Sequence, residues 1–547
     1  MMRFWNQVLE GPSARRLQNI LAAVLILLFF IHSAVSASQV SQTSDEDNHY
    51  KFGLNILHGN ANRFKESVMP ISAWNALPRF VSDALPDGFL KNLLGKLLAA
   101  RLMTVLFACG IAYLVFHFSR SFYGFIPALV SLVLFTLDPN ILAHSQLVTT
   151  DIFVTGLLLL TFFFAWRYAL RRNWVNAFLL AASLGFSQIT KYTAISFAPL
   201  LFLTLLIYDL AQFLRVRSLM WRKELLRLLR QYLELMALVI VISILILNIA
   251  YLFRRSFTPF GEYTFRYALF SGLQNELPVL NTIPVPVPYA HLQGLDWVLE
   301  YDKTGQGHGN EYLLGQTRRG QGFPGYYMIA FFLKEPFPTQ LVIFLALIVY
   351  FIDKNRRARF WQQEIFLFVP IVFYTLYFIF FFNSQIGIRY YLVVFPLLFV
   401  FASGLFLHWQ RFSRAQVLVT GVALIYLVIS LLSYFPYYLA YFNESIPDRR
   451  YAYLYLADSN LDWGQGKFAL KAYMQANPQA DFEPEKMKPG WIIVSPNSLV
   501  GVVKPPEKYA WLRENFDPVG TIANEYLVYR ISPQEFDKKC AETGFCK

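Results

Sequence analysis

The first residues able to do chemistry form the run Ser44-Asp45-Glu46-Asp47-Asn48-His49-Tyr50, a few positions beyond a long apolar stretch. A carboxylate at a water–lipid boundary stands where a base must sit to act on a group carried by a lipid phosphate. The same acids also suit the start of a solvated helix, whose N-terminal dipole favours negative charge. A second group lies in LDPNILAHSQLVTTDIF, with Asp138, His144 and Asp151. Asp138-Pro139-Asn140 is in itself a turn signal, and Asp151 could simply open the helix that follows it. Two cations stand at membrane depth, Lys191 and Arg389, the latter within IGIRYYLVVFPLLF. Such a cation is costly unless it is hydrated or paired with an anion. A phosphate is a suitable partner, because a guanidinium grips it with two parallel hydrogen bonds; snorkelling to the interface is the alternative. Lys65, Glu66, His308, Glu311, Arg318, Arg319 and Lys334 are further candidate substrate contacts. No HExxH motif or Cys/His cluster of zinc spacing occurs, so no metal site is assigned. Asp45 with Asp151 could hold a divalent cation through oxygens. The glycines near residue 310 lack the GK[ST] of a phosphate loop, and no Ser nucleophile elbow is present.

These residues need elements to carry them, and the composition says which. Of 547 residues, 56% are hydrophobic and only 15% charged, against about 25% charged in soluble domains. Apolar runs of roughly 18 residues or more cross a bilayer as helices. Spans are expected near 17–37, 100–118, 122–138, 150–167, 174–190, 192–213, 232–253, 337–352, 365–383, 389–407 and 416–437, about eleven in all. The first ends in SAVSAS, like a signal-peptidase site, but is read as a retained anchor. Placing the N-terminus in the cytoplasm puts Arg120, then Arg167, Arg171 and Arg172, then Lys354, Arg356, Arg357 and Arg359 on inner loops. The short outer loop 139–149 has no Lys or Arg. This asymmetry follows the positive-inside rule, with Arg254 and Arg255 just outside the seventh span as exceptions, and accounts for much of the +13 net charge without nucleic acid.

The expected organisation is a transmembrane part, 1–437, with long outer loops 38–99 and 254–336, followed by an extracytoplasmic domain, 438–547. The aromatic and proline content around Trp74, Pro78 and Arg79 suits a helix lying in the interface. In the tail, WIIVSPNSLVGVV and TIANEYLVYRIS read as strands of a small α/β domain. That placement would put Cys540 and Cys546 where a disulfide can form. No internal repeat is visible, which disfavours an inverted-repeat transporter.

Five stretches in order, LDPNILAHSQLVTTDIF, GHGNEYLLG, FFLKEPFP, IGIRYYL and DSNLDWGQ, give the chain a resemblance to membrane-embedded glycosyltransferases of the GT-C fold that use a polyprenyl-phosphate sugar donor. These are the family 39 type, including protein O-mannosyltransferases and bacterial aminoarabinose transferases. The likeness runs from about residue 17 to about 530. It implies an all-α polytopic membrane enzyme with long extracytoplasmic loops and a small C-terminal α/β domain. It implies that Asp45 is the reaction-centre acid with Glu46 as its partner, and that Asp151 is the acid opening the fourth span. Glu66 matches a loop acid; relatives follow it with a basic residue or His and then Pro-Pro, where this chain has Ser67-Val68-Met69-Pro70. Lys65 could supply that charge from the other side.

The implied chemistry moves a sugar from a polyprenyl phosphate to an extracytoplasmic protein, lipid or glycan. The leaving group is already good, so the needs are a base for the acceptor proton, expected at Asp45, and cations for the phosphate, expected at Arg389 and Lys191. One in-line displacement would invert the anomeric centre. No cofactor is required by this scheme, although a divalent cation is compatible with it. A plasma (inner) membrane location follows. The alternative reading is a transporter or flippase of lipid-linked saccharides, which usually places its polar residues at the membrane midplane; here the charges lie at span ends.

Overall fold

The computed structural model describes residues 14–65, 67–216, 221–305 and 309–546. Glu66 and His308 therefore lie outside the described residues.

The chain is a multi-pass membrane protein. Among the described residues eight helices are long and apolar enough to cross a membrane: Arg15–Gln39, Leu97–Tyr123, Asp151–Leu170, Tyr192–Arg215, Lys223–Ala250, Phe360–Phe380, Ile388–Phe406 and Arg414–Leu432. Two bent helix pairs bring the number to ten if each is one span: Phe125–Thr136 with Pro139–Ser145, at 63°, and Tyr326–Lys334 with Phe337–Ile352, at 118°. Both breaks sit at a proline, Pro139 and Pro336, whose missing N–H interrupts the helical ladder. At the first break the Asp138 carboxylate accepts a hydrogen bond from the Ile141 N–H at 2.6 Å, so Asp138 caps the second half. The eleventh expected span is the 14-residue helix Trp174–Ser187. At about 1.5 Å per residue it is too short to cross a hydrocarbon core of about 30 Å. Every expected span is thus an apolar helix, but proline breaks and one short helix separate apolar helices from full crossings.

The spans that bear the site are the most enclosed. Ile388–Phe406 is buried over 89% of its apolar window and Asp151–Leu170 over 72%, while Arg414–Leu432 is buried over only 17% and turns the rest outward. Between the first two spans, Glu46–Leu57 packs closely on Ser72–Asp83. Gly53 permits this approach, because a Cβ there would stand 2.2 Å from the Ser72 carbonyl oxygen. Ser72–Asp83 exposes Trp74, Phe80 and Val81, the apolar face expected of a helix lying along a membrane surface.

Strands β1 (Glu311–Leu313) and β2 (Gln316–Arg318) form an antiparallel hairpin. Near the C-terminus, β3 (Ala480–Phe482), β4 (Gly490–Val494), β5 (Gly520–Ile522) and β6 (Tyr526–Ile531) form a sheet in the order β3-β4-β6-β5, with β3 and β4 parallel and the other pairs antiparallel. Both faces of this sheet are covered. Ile493, Ile522, Tyr526 and Val528 pack with Leu470 of the helix Lys467–Ala476. Ile492, Val494, Leu527, Tyr529 and Ile531 join the main core that runs into the spans. Double coverage explains why β6 is nearly all buried rather than alternating. Cys540 and Cys546 form a disulfide.

Candidate active site

The long segments that follow and precede the spans close around a cavity of about 1060 Å³. One part of its wall is apolar, with Ile195, Pro199, Leu295, Val298, Leu299 and Phe382. The other part is charged, and it brings together Asp45, Asp151, Lys191, Arg389 and Lys65, which are far apart in sequence.

The centre is built from two carboxylate–cation pairs. Arg389 Nη1 donates to Asp45 Oδ2 at 3.0 Å, and Lys191 Nζ donates to Asp151 Oδ1 at 2.6 Å. The Asp45 side chain keeps 29% of its surface open, whereas those of Asp151 and Arg389 keep 3% and 8%. Each cation also lies over an aromatic ring: Arg389 4.1 Å from the centroid of Trp463, and Lys191 3.6 Å from that of Tyr390. Desolvation of a cation over a ring face strengthens that attraction. Burial works to raise the Asp45 carboxyl; the Arg389 guanidinium and its hydrogen bond outweigh it and hold Asp45 below the usual carboxylate range. His49 Nδ1 shares a hydrogen bond with Ser72 Oγ at 3.2 Å, and burial holds this imidazole below its ordinary value.

Glu46 takes no place in the cavity wall. It is fully buried and its oxygens are filled. Oε1 accepts from Arg101 Nε at 2.9 Å and from the Val148 N–H at 3.0 Å; Oε2 accepts from Arg101 Nη2 at 2.6 Å and from the Thr43 N–H at 2.9 Å. Arg101 donates onward to the carbonyls of Ala37, Val40 and Ser41. The pair therefore fixes the chain on both sides of Asp45 and ties it to the segment leading to Asp151. This corrects the expectation of Glu46 at the reaction centre: its neighbour faces the cavity, and Glu46 turns the opposite way. Removing one partner of a buried ion pair costs about 3–5 kcal/mol, so Glu46→Gln is expected to lower the thermal unfolding midpoint clearly, as read by intrinsic fluorescence in detergent.

Several other expected contacts fall elsewhere. Lys334 is buried and donates to the carbonyls of Leu439, at 2.8 Å, and Asn460, which makes it a structural tie. Glu311 is buried and accepts from the Gly320 N–H at 3.1 Å. Arg318 lies over Phe323 at 4.4 Å from the ring centroid, exposed on β2, and Arg319 is exposed just after it; neither lines the cavity. Their hairpin leans on Tyr455 and Leu456 instead. Lys65 is exposed and does line the cavity.

Many of the residues that sequence reasoning did not assign come from the C-terminal part. Asp458, Asp462, Trp463, Lys467, Ser495, Asn497 and Lys504 line the cavity. The backbone N–H groups of Ser41 and Ser44 donate to the carbonyls of Gln465, at 2.9 Å, and Trp463, at 3.1 Å. The DSNLDWGQ stretch is thereby stitched directly onto the segment carrying Asp45. That motif was the available signal, and it carried no assigned role. Lys467 and Lys504 had none, since a lone lysine reads as surface. Among the described residues no three His, Cys, Asp or Glu side chains converge as a metal site.

Residues 89–247 match the family model described as dolichyl-phosphate-mannose-protein mannosyltransferase. Over this stretch the chain is similar to that glycosyltransferase family. The matched region contains Asp151 and Lys191, and the match agrees with the family expected from the five motifs. No curated protein matches the chain. Among solved structures the chain is similar to the Archaeoglobus fulgidus oligosaccharyltransferase in its apo form, with 14% identity, a TM-score of 0.47, and coverage of 75% of this chain and 55% of that one. It is similar to the same organism's oligosaccharyltransferase AglB in complex with an inhibitory peptide and a dolichol-phosphate, with 12% identity, a TM-score of 0.47, and coverage of 93% and 74%. It is also similar to ArnT from Cupriavidus metallidurans bound to undecaprenyl phosphate, with 13% identity, a TM-score of 0.31, and coverage of 93% and 97%. The chain spans about half the length of the first of these.

Proposed function

We propose that this protein is an integral-membrane glycosyltransferase that moves a sugar from a polyprenyl-phosphate carrier to an extracytoplasmic protein, lipid or glycan by a single inverting displacement. The observation that carries the reading is the pair of ion pairs, Asp45–Arg389 and Asp151–Lys191, on the wall of one cavity that also has an apolar side. The apolar side suits the first units of a polyprenyl chain. Arg389 and Lys191 meet the phosphate, whose negative charge grows as the bond to the sugar breaks. Asp45, held ionised by Arg389, is placed to offset the positive charge that develops at the anomeric carbon.

Two cations already stand where phosphate charge must be held, so the scheme uses no divalent ion. Transfer is expected to persist in excess EDTA, measured as release of carrier phosphate. The basic inner loops and the Cys540–Cys546 disulfide support a cytoplasmic N-terminus, an extracytoplasmic C-terminal part and a location in the plasma membrane, because such bonds persist in oxidising compartments. The C-terminal residues on the cavity wall support a role for residues 438–547 in acceptor choice.

The test uses the full chain in lipid nanodiscs with undecaprenyl-phosphate mannose, glucose and aminoarabinose, and with membranes as the acceptor source. Release of undecaprenyl phosphate with an inverted glycosidic bond in the product is expected. A flippase would instead move the intact lipid across vesicles without releasing carrier. Retention of configuration would overturn the single displacement.

A further inference from the structure

The ion pairs that define the site leave a chemical need unmet. An acceptor hydroxyl must lose its proton as it attacks, and a proton acceptor works best when its pKa lies near the working pH. Asp45 is bound to a guanidinium and Asp151 to an ammonium. A carboxylate in such a pair gives up its negative charge to a proton only at the cost of the pair, so neither is a good base while its cation is present.

Asp458 is placed differently. It lines the same cavity, is half-buried and forms no ion pair among those of the described residues. Its Oδ1 accepts from the Ser459 N–H at 2.5 Å, and its own N–H donates to Asn497 Oδ1 at 2.6 Å. Its backbone lies in the left-handed region at φ +56°, which non-glycine residues adopt at a cost of about 1–3 kcal/mol when surroundings enforce it. The surroundings do enforce it: Ser459 Oγ donates to the Ile386 carbonyl, and the Ile388 N–H donates to Asn460 Oδ1 at 2.9 Å. These bonds lock the Asp458 turn against the start of the span that carries Arg389. The charged and titratable groups facing Asp458 are Arg389, Asp45, Asp462 and Tyr326, with Lys334 behind the turn on the Asn460 carbonyl.

Resting on the glycosyltransferase reading above, we infer that Asp458 is the catalytic base that takes the acceptor's proton, while Asp45 stays ionised as the anion beside the sugar. The acceptor oxygen forms its bond to the anomeric carbon, and the bond from that carbon to the phosphate oxygen breaks with its electron pair leaving on the polyprenyl phosphate. The acceptor proton passes to the Asp458 carboxylate and from there to cavity water. Burial pushes the Asp458 carboxyl up to about 7, against the lowering field of Arg389. The ionised, active form therefore grows as pH rises through that value.

The experiment follows carrier release from undecaprenyl-phosphate mannose, glucose or aminoarabinose, whichever the wild type turns over, by the full chain in nanodiscs at pH 5 to 9. Binding of undecaprenyl phosphate alone is measured in parallel. Wild-type turnover is expected to rise about tenfold per pH unit below pH 7 and then level. Asp458→Asn, whose side chain tolerates positive φ, is expected to bind the carrier within twofold of wild type, to lose about 10²-fold or more in turnover at pH 8, and to lose the acidic limb. Asp458→Glu is expected to keep a limb with a moved midpoint. Unchanged turnover in Asp458→Asn, or an acidic limb that survives in it, would overturn the assignment while leaving the glycosyltransferase reading intact. Loss of carrier binding together with turnover in both variants would make Asp458 structural and also overturn it. A wild type that releases carrier from none of the three donors would sink both.

Discussion

An Asp45→Asn protein is expected to bind undecaprenyl phosphate at least as tightly as the wild type, yet to transfer sugar about 10²–10³-fold more slowly. The two effects have one cause. The Asp45 carboxylate now occupies Arg389 Nη1 at 3.0 Å, so an incoming phosphate competes with it for the guanidinium. An amide removes that competition and leaves the cation to the carrier. The same change removes the negative charge beside the anomeric carbon, where the transition state needs it. The substituted amide oxygen can still accept from the nearly enclosed Arg389, and position 45 stays 29% open to the cavity, so the fold is expected to survive. Carrier binding by fluorescence and transfer by carrier release read the two effects separately. Weaker carrier binding with unimpaired transfer would contradict both halves.

Arg389→Ala is expected to do the reverse on binding. Its guanidinium stands over Trp463 and against Asp45, and it is nearly enclosed. Hydrogen bonds to a charged group are worth about 1.5–3 kcal/mol, so undecaprenyl phosphate should bind roughly 10–150-fold more weakly. Transfer should fall further, since the phosphate loses its partner as its charge grows. Arg389→Lys restores charge without the two-pronged geometry and is expected to recover only part of the binding. Equal carrier affinity in Arg389→Ala and wild type, at matched ionic strength, would place the phosphate elsewhere.

The contrast between Asp45 and Glu46 shows why adjacent acids do different things. Both follow the same apolar span, and the family resemblance implies a role for both. One ends in a cavity and the other inside a web of five hydrogen bonds from Arg101, Val148 and Thr43. Adjacent helix-start residues point in different directions, and what each meets is set by distant chain: Arg389, 344 residues away, for Asp45, and Arg101 and Val148, 55 and 102 residues away, for Glu46. The hairpin arginines 318 and 319 and Lys334 make the same point in another form. Their charge made them candidates, but an exposed turn and a buried carbonyl cluster took them.

Apolar length, the charge asymmetry of the loops and five short motifs determined the membrane class, the position of most apolar helices, the likeness to a glycosyltransferase family and five residues of the cavity wall: Asp45, Lys65, Asp151, Lys191 and Arg389. These are properties of local stretches, since hydrophobic run length and a cation's isolation at membrane depth can be read without neighbours. Tertiary structure alone decided which carboxylate faces which cation, which helices stop short of crossing, and that residues 458–504 supply much of the site. Pairing depends on contacts hundreds of residues apart, such as Arg389 with Asp45, and no local pattern encodes a partner that only folding brings within hydrogen-bond reach.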